Sequence, residues 1–322
     1  MNYLITGGAG FIGSNLAFEL VKRGDSVRVL DNLTSGNLDN IKPLFDKIEV
    51  IEGDIRDFWT VVEAMYDIDF VLHHAAVPSV ARSIKNPLTA NAVNIDGTLN
   101  VLESARQANV RRVVFACSSA IYGDSEELPK IETMKLDPMS PYAVNKLAGE
   151  EYCRIYNHLY GLETVSLRYF NVFGPRQDPA SQYSAAIPIF IKAILHGKPP
   201  MIFGDGEQSR DFIYIDNVVN ANLKACTAPN APGQCFNIAS GQRITLNNLL
   251  KIISEILKVE IKPKYVNPRP GDILHSGADI EAALSGLGYS VDIDLRTGMK
   301  DTIKWFSDIF SESTPVSGIN ID

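Results

Sequence analysis

The sequence predicts an α/β chain: a doubly wound, mainly parallel sheet followed by a smaller mixed α/β C-terminal lobe. Three observations predict it. Short apolar runs rich in β-branched residues alternate with stretches whose apolar residues recur at i, i+3 and i+4. A glycine-rich turn sits between the first strand and the first helix, and after Asn171 the texture changes to closely spaced Gly, Pro, Gln, Asp and Ser.

Taken in order, the strands fall at Tyr3–Thr6, Ser26–Leu30, Ile48–Glu52, Phe70–His73, Arg112–Ala116 and Thr164–Arg168. Helices are predicted at Phe11–Arg23, Pro87–Ala108 and Pro141–Leu159. The last opens with Ser140-Pro141, a capping hydroxyl followed by a proline whose fixed φ suits the first turn. These lengths suit crossovers between parallel strands. Residues 1–171 are expected to form the sheet domain, with 211–240 returning to it. The smaller lobe is expected from 172–210 and 241–311, where Tyr265–Gly271 carries Pro268 and Pro270. Residues 312–322 lack a periodic apolar face and are expected to form a flexible tail.

Composition narrows the function classes. The 322 residues are 45% hydrophobic and 21% charged, enough to bury a large core. With 30 Lys+Arg against 38 Asp+Glu the formal charge is −8, a poor field for gripping a phosphate backbone, so no nucleic-acid partner is expected. Cys117, Cys153, Cys226 and Cys235 form no C-x-x-C pair and read as buried thiols in a reducing compartment. No secretory leader and no apolar run near the ~20 residues of a membrane span is visible, so the expectation is a cytoplasmic protein without membrane contact. His73 and His74 would point to opposite faces of a strand, and His158, His196 and His275 lack ligand spacing; no metal site is expected.

Thr6-Gly7-Gly8-Ala9-Gly10-Phe11-Ile12-Gly13 joins the first strand to the first helix. Glycines suit a tight turn, bare backbone for a pyrophosphate, and close helix–strand packing, while the helix N-terminus supplies N–H groups and positive dipole. Asp31 ends the second strand 18 residues after Gly13. Its carboxylate can accept both hydroxyls of an adenosine ribose and would repel a 2′-phosphate, so the motif predicts a Rossmann domain that binds NAD rather than NADP. Asp54, closing the third strand, is either an adenine contact or the N-cap of a helix over Ile55–Met65.

Tyr142-Ala-Val-Asn-Lys146 places a phenol and an ammonium at i and i+4 on one helix face, where the cation can favour the phenolate. Alone, such a pair is usually a solvated helix face; downstream of a nucleotide turn and a serine-rich strand end it reads as a catalytic pair. Ser118, in that strand end, can also be read as a side chain capping the next turn.

Together these residues resemble the extended short-chain dehydrogenase/reductases. Within them the chain is similar to nucleotide-sugar 4-epimerases of the UDP-galactose 4-epimerase type, most closely the branch acting on UDP-N-acetylhexosamines. The motifs run to about Phe310: the glycine turn, Asp31-Asn32, His73-His74-Ala75-Ala76, Ser118 before Tyr122-Gly123, Tyr142 with Lys146, Arg168-Tyr-Phe-Asn-Val-Phe-Gly174, Arg210-Asp-Phe-Ile and Arg269-Pro-Gly-Asp272. The resemblance implies Tyr142 as the base that takes the sugar 4-hydroxyl proton, Lys146 as the ribose-binding cation that lowers the phenol's pKa, and Ser118 as the partner of O4. It implies cofactor contacts from Gly7, Gly10, Phe11, Ile12, Gly13, Asp31, Asn32, Asp54, Ile55, Ala75, Asn94 and Tyr169. On the sugar-nucleotide side it implies Ser79 and Asn171, the uridine contacts Ala185, Ala186, Met201 and Phe203, the diphosphate-binding Arg210 and Arg269, and the ribose contact Asp272. Ser276, four residues after Asp272, falls where a tyrosine would wall the hexose pocket; a serine leaves room for an N-acetyl group. The resemblance also implies a homodimer through a four-helix contact of the Pro87–Ala108 and Pro141–Leu159 helices.

Rival activities share this scaffold. Dehydratases and decarboxylases of the superfamily offer a carboxylate where this chain has Ser119-Ala120, and a methyl group cannot shuttle a proton, so inversion at C4 is favoured. UDP-glucuronate is the competing substrate, and a non-catalytic NAD-binding module the competing class. The presence of Ser118, Tyr142 and Lys146 together argues against the module.

Overall fold

The structure is a computed structural model that describes residues 1–178, 186–268 and 274–313. Its twelve strands are β1 (Asn2–Thr6), β2 (Ser26–Asp31), β3 (Glu49–Glu52), β4 (Phe70–His73), β5 (Arg112–Ser118), β6 (Glu163–Tyr169), β7 (Asn171–Phe173), β8 (Met201–Phe203), β9 (Ser209–Tyr214), β10 (Cys235–Ile238), β11 (Arg243–Thr245) and β12 (Lys264–Val266). Between them lie the helices α1 (Phe11–Lys22), α2 (Phe58–Ala64), α3 (Val80–Lys85), α4 (Pro87–Asn91), α5 (Gly97–Gln107), α6 (Pro141–Tyr160), α7 (Ala186–Leu195), α8 (Ile215–Thr227), α9 (Leu246–Leu257), α10 (Glu281–Leu287) and α11 (Leu295–Ser313).

Seven strands form one sheet in the order β10-β6-β5-β4-β1-β2-β3, every neighbouring pair parallel. A parallel sheet is covered on both faces, which is why its strands read as nearly continuous apolar runs. The two-residue period still divides them. Tyr3, Ile5, Val29 and Val165 join the core on one face, whereas Leu4, Leu30, Val71, Val113 and Phe115 join the core on the other. The order reverses between β1 and β4, so the crevice beyond their C-terminal ends is a topological switch point, the place where such sheets bind ligands.

The chain between Ser209 and Ile238 divides between two sheets. Strand β10 pairs with β6 at the edge of the large sheet, but β9 pairs with β7 and β11 in a three-stranded sheet of mixed direction. Strands β8 and β12 form a separate parallel pair. The α11 helix continues to Ser313, and the remainder of the expected tail lies outside the described residues. Among the described residues no helix is long and apolar enough to cross a membrane.

Two predicted elements differ in detail. Strand β5 continues to Ser118, because its last residues keep pairing with Leu167–Tyr169. The predicted Pro87–Ala108 helix is broken in register by a π turn at Ala92–Asp96. There the Thr98 hydroxyl donates back to Asn94 O (2.7 Å) and the buried Asn94 side chain bonds Val77, contacts that hydrophobic periodicity does not encode.

Candidate active site

The crevice is bounded first by the glycine turn. Gly7 has φ +70, and a Cβ there would lie 2.7 Å from Ala75 N in the loop after β4. A Cβ on Gly13 would lie 2.3 Å from Gly7 O, so only glycine lets α1 pack this close to the turn. Gly10 occupies the N-cap of α1 and no side chain caps it, which leaves the first-turn N–H groups of Phe11 and Ile12 without a side-chain acceptor. That arrangement fits a pyrophosphate.

At the end of β2 the Asp31 carboxylate accepts Ala9 N and Leu33 N, both at 2.9 Å. Burial raises its pKa and these two amides oppose the rise. Asn32 donates to Asp54 (2.7 Å), which is also paired with Arg56; the Arg56 side-chain bond holds the Asp54 carboxyl well below the usual range. Asp54 caps no helix: α2 begins at Phe58, and Asp57 is its N-cap. Ile55 is buried against Gly97, where a Cβ would come within 2.6 Å of Ile55 Cδ1.

The catalytic candidates meet between β5 and α6. Ser118 Oγ accepts Ala120 N (3.2 Å), capping the Ser119–Tyr122 turn, and lies close enough to the Tyr142 phenol to lower its pKa. The capping reading of Ser118 is the one this contact describes. Tyr142 lies in the first turn of α6, which is fixed by the Ser140 cap on Ala143 N (3.2 Å) and by a bond from Tyr142 N to Ser83 Oγ (3.0 Å). Lys146 donates to Ala116 O (2.7 Å), with its Nζ 5.0 Å from the Phe115 ring centroid and 6.0 Å from that of Tyr142.

The electrostatics differ from the simple expectation that Lys146 lowers the phenol. Burial pushes Tyr142 up to about 12, the nearby Ser118 hydroxyl opposing it. The same burial brings Lys146 down to about 8. The reason is geometric: the ammonium points at a backbone carbonyl, not at the phenol oxygen.

Behind this pair runs a buried polar chain that the sequence did not announce. Thr6 Oγ1 meets His73 Nδ1 (2.7 Å), His73 Nε2 meets Thr98 Oγ1 (3.0 Å), and Ala75 N donates to Thr6 Oγ1 (3.2 Å). It ties the glycine turn to the π turn that carries Asn94. Burial drives His73 far down, consistent with a neutral imidazole. His74 stacks on the buried Tyr169 (6.0 Å between centroids, 5° between planes), and both bond Asn222 Oδ1. Among the described residues no His, Cys, Asp or Glu cluster could hold a metal.

On the smaller lobe, Asn171 Nδ2 donates to Asp211 O (3.1 Å), while Arg210 donates to Ser209 O (3.0 Å) and Leu274 O (3.2 Å). Ser276 is half-buried and its N donates to Ser209 O (3.0 Å), which sets it beside the Arg210 strand. Ser79 is the N-cap of α3, its hydroxyl accepting Arg82 N (3.2 Å). Ala186 opens α7, and Met201 and Phe203 lie on β8. Ala185, Arg269 and Asp272 lie outside the described residues. Asp211 was missed by sequence reading: fully buried, its carboxylate gathers Ser240 N, Ser240 Oγ, Gly241 N and Ala278 N around the segment that carries Ser276. Its place beside the predicted Arg210 was the only signal.

A profile for the NAD dependent epimerase/dehydratase family matches residues 3–239. UDP-glucose 4-epimerase of Mycolicibacterium smegmatis is 37% identical over 95% of this chain and 98% of that protein. The solved UDP-N-acetylglucosamine 4-epimerase of Methanobrevibacter ruminantium, in complex with UDP-N-acetylmuramic acid, is 41% identical with a TM-score of 0.92, covering 96% of this chain and 98% of that one. UDP-glucuronic acid 4-epimerase of Bacillus cereus, solved with UDP-glucuronic acid and NAD, is 31% identical with a TM-score of 0.88 over 96% and 100%. The chain belongs to the NAD-dependent epimerase/dehydratase family. Its fold, its glycine turn and its relatives define an NAD-dependent enzyme of the 4-epimerase class.

Proposed function

We propose that this protein inverts C4 of UDP-hexoses, interconverting UDP-N-acetylglucosamine and UDP-N-acetylgalactosamine and also accepting UDP-glucose and UDP-galactose. The observation that carries the reading is the convergence of Ser118, Tyr142 and Lys146 between β5 and α6, in a chain whose glycine turn fits a dinucleotide. NAD, when bound, would supply a hydride-accepting carbon and a positive charge. Gly7, Gly10, Phe11, Ile12 and Gly13 would hold its diphosphate, Asp31 its adenosine ribose and Lys146 its other ribose, with Asn32, Asp54, Ile55, Ala75, Asn94 and Tyr169 lining its course.

With NAD bound, Tyr142 would take the O4 proton during oxidation at C4 and give it back during reduction from the opposite face of the sugar. Ser118 holds O4 against the phenol during both transfers. A phenol pushed up to about 12 gives up its proton at neutral pH only where positive charge offsets burial, so the base acts in the loaded site. The two faces of C4 are reached by turning the hexose, which requires that the nucleotide supply most of the binding. Arg210 and Arg269 would grip the diphosphate as planar forks; Asn171 and Ser79 face the sugar, while Ala185, Ala186, Met201, Phe203 and Asp272 hold the uridine end.

Substrate range rests on Ser276. A serine at that wall leaves volume for an N-acetyl group, and an unfilled gap costs less than overlap of filled volumes. The UDP-N-acetylglucosamine 4-epimerase, at 41% identity, supports the same choice. A homodimer through α4–α5 and α6 is part of the proposal, supported by exposed Leu88 and Val144 on those helices. So is a cytoplasmic location, supported by four unpaired thiols. The test is to incubate purified protein with each UDP-sugar and follow the C4 epimers by NMR. Inversion of the N-acetylhexosamines is expected; inversion of UDP-glucuronate alone would overturn the assignment.

A further inference from the structure

Arg168 opens the Arg168-Tyr-Phe-Asn-Val-Phe-Gly174 stretch, yet none of the chemistry above uses it. It lies on β6, 3% exposed, and its guanidinium reaches three separate segments. Nε and Nη2 bind the two oxygens of Glu150 on α6 at 2.9 and 2.5 Å. Nη1 donates to the Tyr122 hydroxyl (2.8 Å), in the turn that follows Ser118, and to Glu132 O (3.0 Å) in the loop beyond. Tyr122 passes its own hydrogen to Asn237 Oδ1 (2.7 Å) on β10. Burial opposes the charge on Arg168, but the Glu150 bonds outweigh it and hold the guanidinium protonated.

The placement is specific. Tyr142, Lys146 and Glu150 follow one another at i, i+4 and i+8, so one face of α6 carries the base, the cation and the carboxylate that Arg168 holds. Tyr122 is four residues past Ser118. The fork thus ties the helix bearing Tyr142 to the strand end bearing Ser118, at a distance from both hydroxyls. A buried ion pair is weak evidence for stability, since apolar side chains of similar volume can pack such a site equally well. What two parallel N–H···O bonds add is orientation: they resist both sliding and rotation of α6 where a point contact resists only separation.

We propose that Arg168 is a positioning residue for the reaction, acting through Glu150 and Tyr122 to hold the strand end bearing Ser118 and the helix bearing Tyr142 in fixed relation. This rests on the C4-epimerase reading. The decisive variant is Arg168→Lys, which keeps the charge but replaces the fork by a point donor that cannot serve Glu150, Tyr122 and Glu132 together. It should lower kcat roughly tenfold or more, while KM for the UDP-sugar and the NAD retained on purification stay within about twofold. A second readout separates positioning from mere folding. The ionisable groups set against the Tyr142 phenol are Cys117 on β5 and Lys146 on its own helix, and Ser118 is the neighbour that lowers it. Moving Ser118 away from the phenol should shift the acidic limb of the kcat profile to higher pH.

Should Arg168→Lys fail to fold, Tyr122→Phe keeps the ring and removes only the bridging hydroxyl. It should show the same pattern with a smaller loss, roughly threefold in kcat. A folded Arg168→Lys or Tyr122→Phe protein with wild-type kcat, or one whose kcat loss is matched by loss of NAD or a risen KM, overturns the inference while leaving the epimerase reading intact. Wild-type protein that inverts no UDP-sugar overturns both.

Discussion

Gly13→Ala adds one methyl group at the tightest point of the nucleotide turn. The new Cβ would lie 2.3 Å from Gly7 O and 2.8 Å from Gly8 Cα, both backbone atoms that no rotamer change can move. Side-chain carbons do not approach carbonyl oxygens closer than about 3 Å, so α1 must retreat from the turn by the better part of an ångström. Overpacking of this kind costs about 1–3 kcal/mol, and the alanine returns up to about 1 kcal/mol in helix propensity. At about 2.1 cal/mol/K of unfolding entropy per residue, 322 residues give about 0.7 kcal/mol per degree, so the melting temperature should fall by about 2 °C. The larger effect is on the cofactor, because the retreat moves the uncapped N–H groups of the first turn. Losing about 1.4 kcal/mol there weakens NAD binding tenfold. The assay is the dinucleotide released per chain on acid denaturation, with a melting curve for the variant and the wild type. Gly13→Ala protein that retains NAD as well as wild type, or melts with it, refutes the packing argument.

Tyr142→Phe should lower turnover by roughly 10²–10⁴ with UDP-sugar affinity little changed, as read by kcat and by equilibrium binding of UDP. Wild-type protein should release NAD and not NADP on acid denaturation, read by chromatography, because the Asp31 carboxylate at the end of β2 would repel a 2′-phosphate. Ser276→Tyr should abolish turnover of the N-acetylhexosamines while sparing UDP-glucose, measured by NMR of paired substrates. Lys146→Met tests the buried ammonium in protein stripped of nucleotide. The unfolded chain keeps the Lys146 proton up to about 10.5 and the folded chain only to about 8, so the folded state is penalised below pH 8 by up to about 3 kcal/mol. The penalty fades as pH rises from 8 to 10.5. Lys146→Met should therefore melt higher than wild type at pH 7, by a margin that shrinks through that window, although its turnover and NAD retention fall.

The sheet was legible because a doubly covered parallel strand must be apolar along its whole length, and the runs around Leu4, Val29, Val71, Val114 and Val165 are. The glycine turn was legible because contact with backbone leaves no alternative residue. The π turn was not, since its cause is the side-chain bonding of Asn94 and Thr98, invisible to periodicity. The division of 209–238 between two sheets escaped for another reason: β9 and β10 carry similar apolar runs, and their partners are set by tertiary pairing. Within the site, Tyr142, Lys146 and Ser118 could be picked out by type and spacing. Glu150 and Arg168 could not, because arginine and glutamate are ordinary surface residues until the fold buries them against each other. The electrostatic state of Tyr142 was likewise beyond the sequence, which shows an ammonium four residues away but not the Ala116 carbonyl that holds it.

Inversion by this route requires that hydride leave C4 and return to the same carbon within one bound complex, with no net redox. UDP-N-acetylglucosamine deuterated at C4, incubated in ordinary water with purified protein and no added nucleotide, tests it directly. Mass spectrometry and proton NMR of the product should show UDP-N-acetylgalactosamine with the deuterium still at C4. Epimer that has exchanged its C4 deuterium for solvent hydrogen would contradict the account.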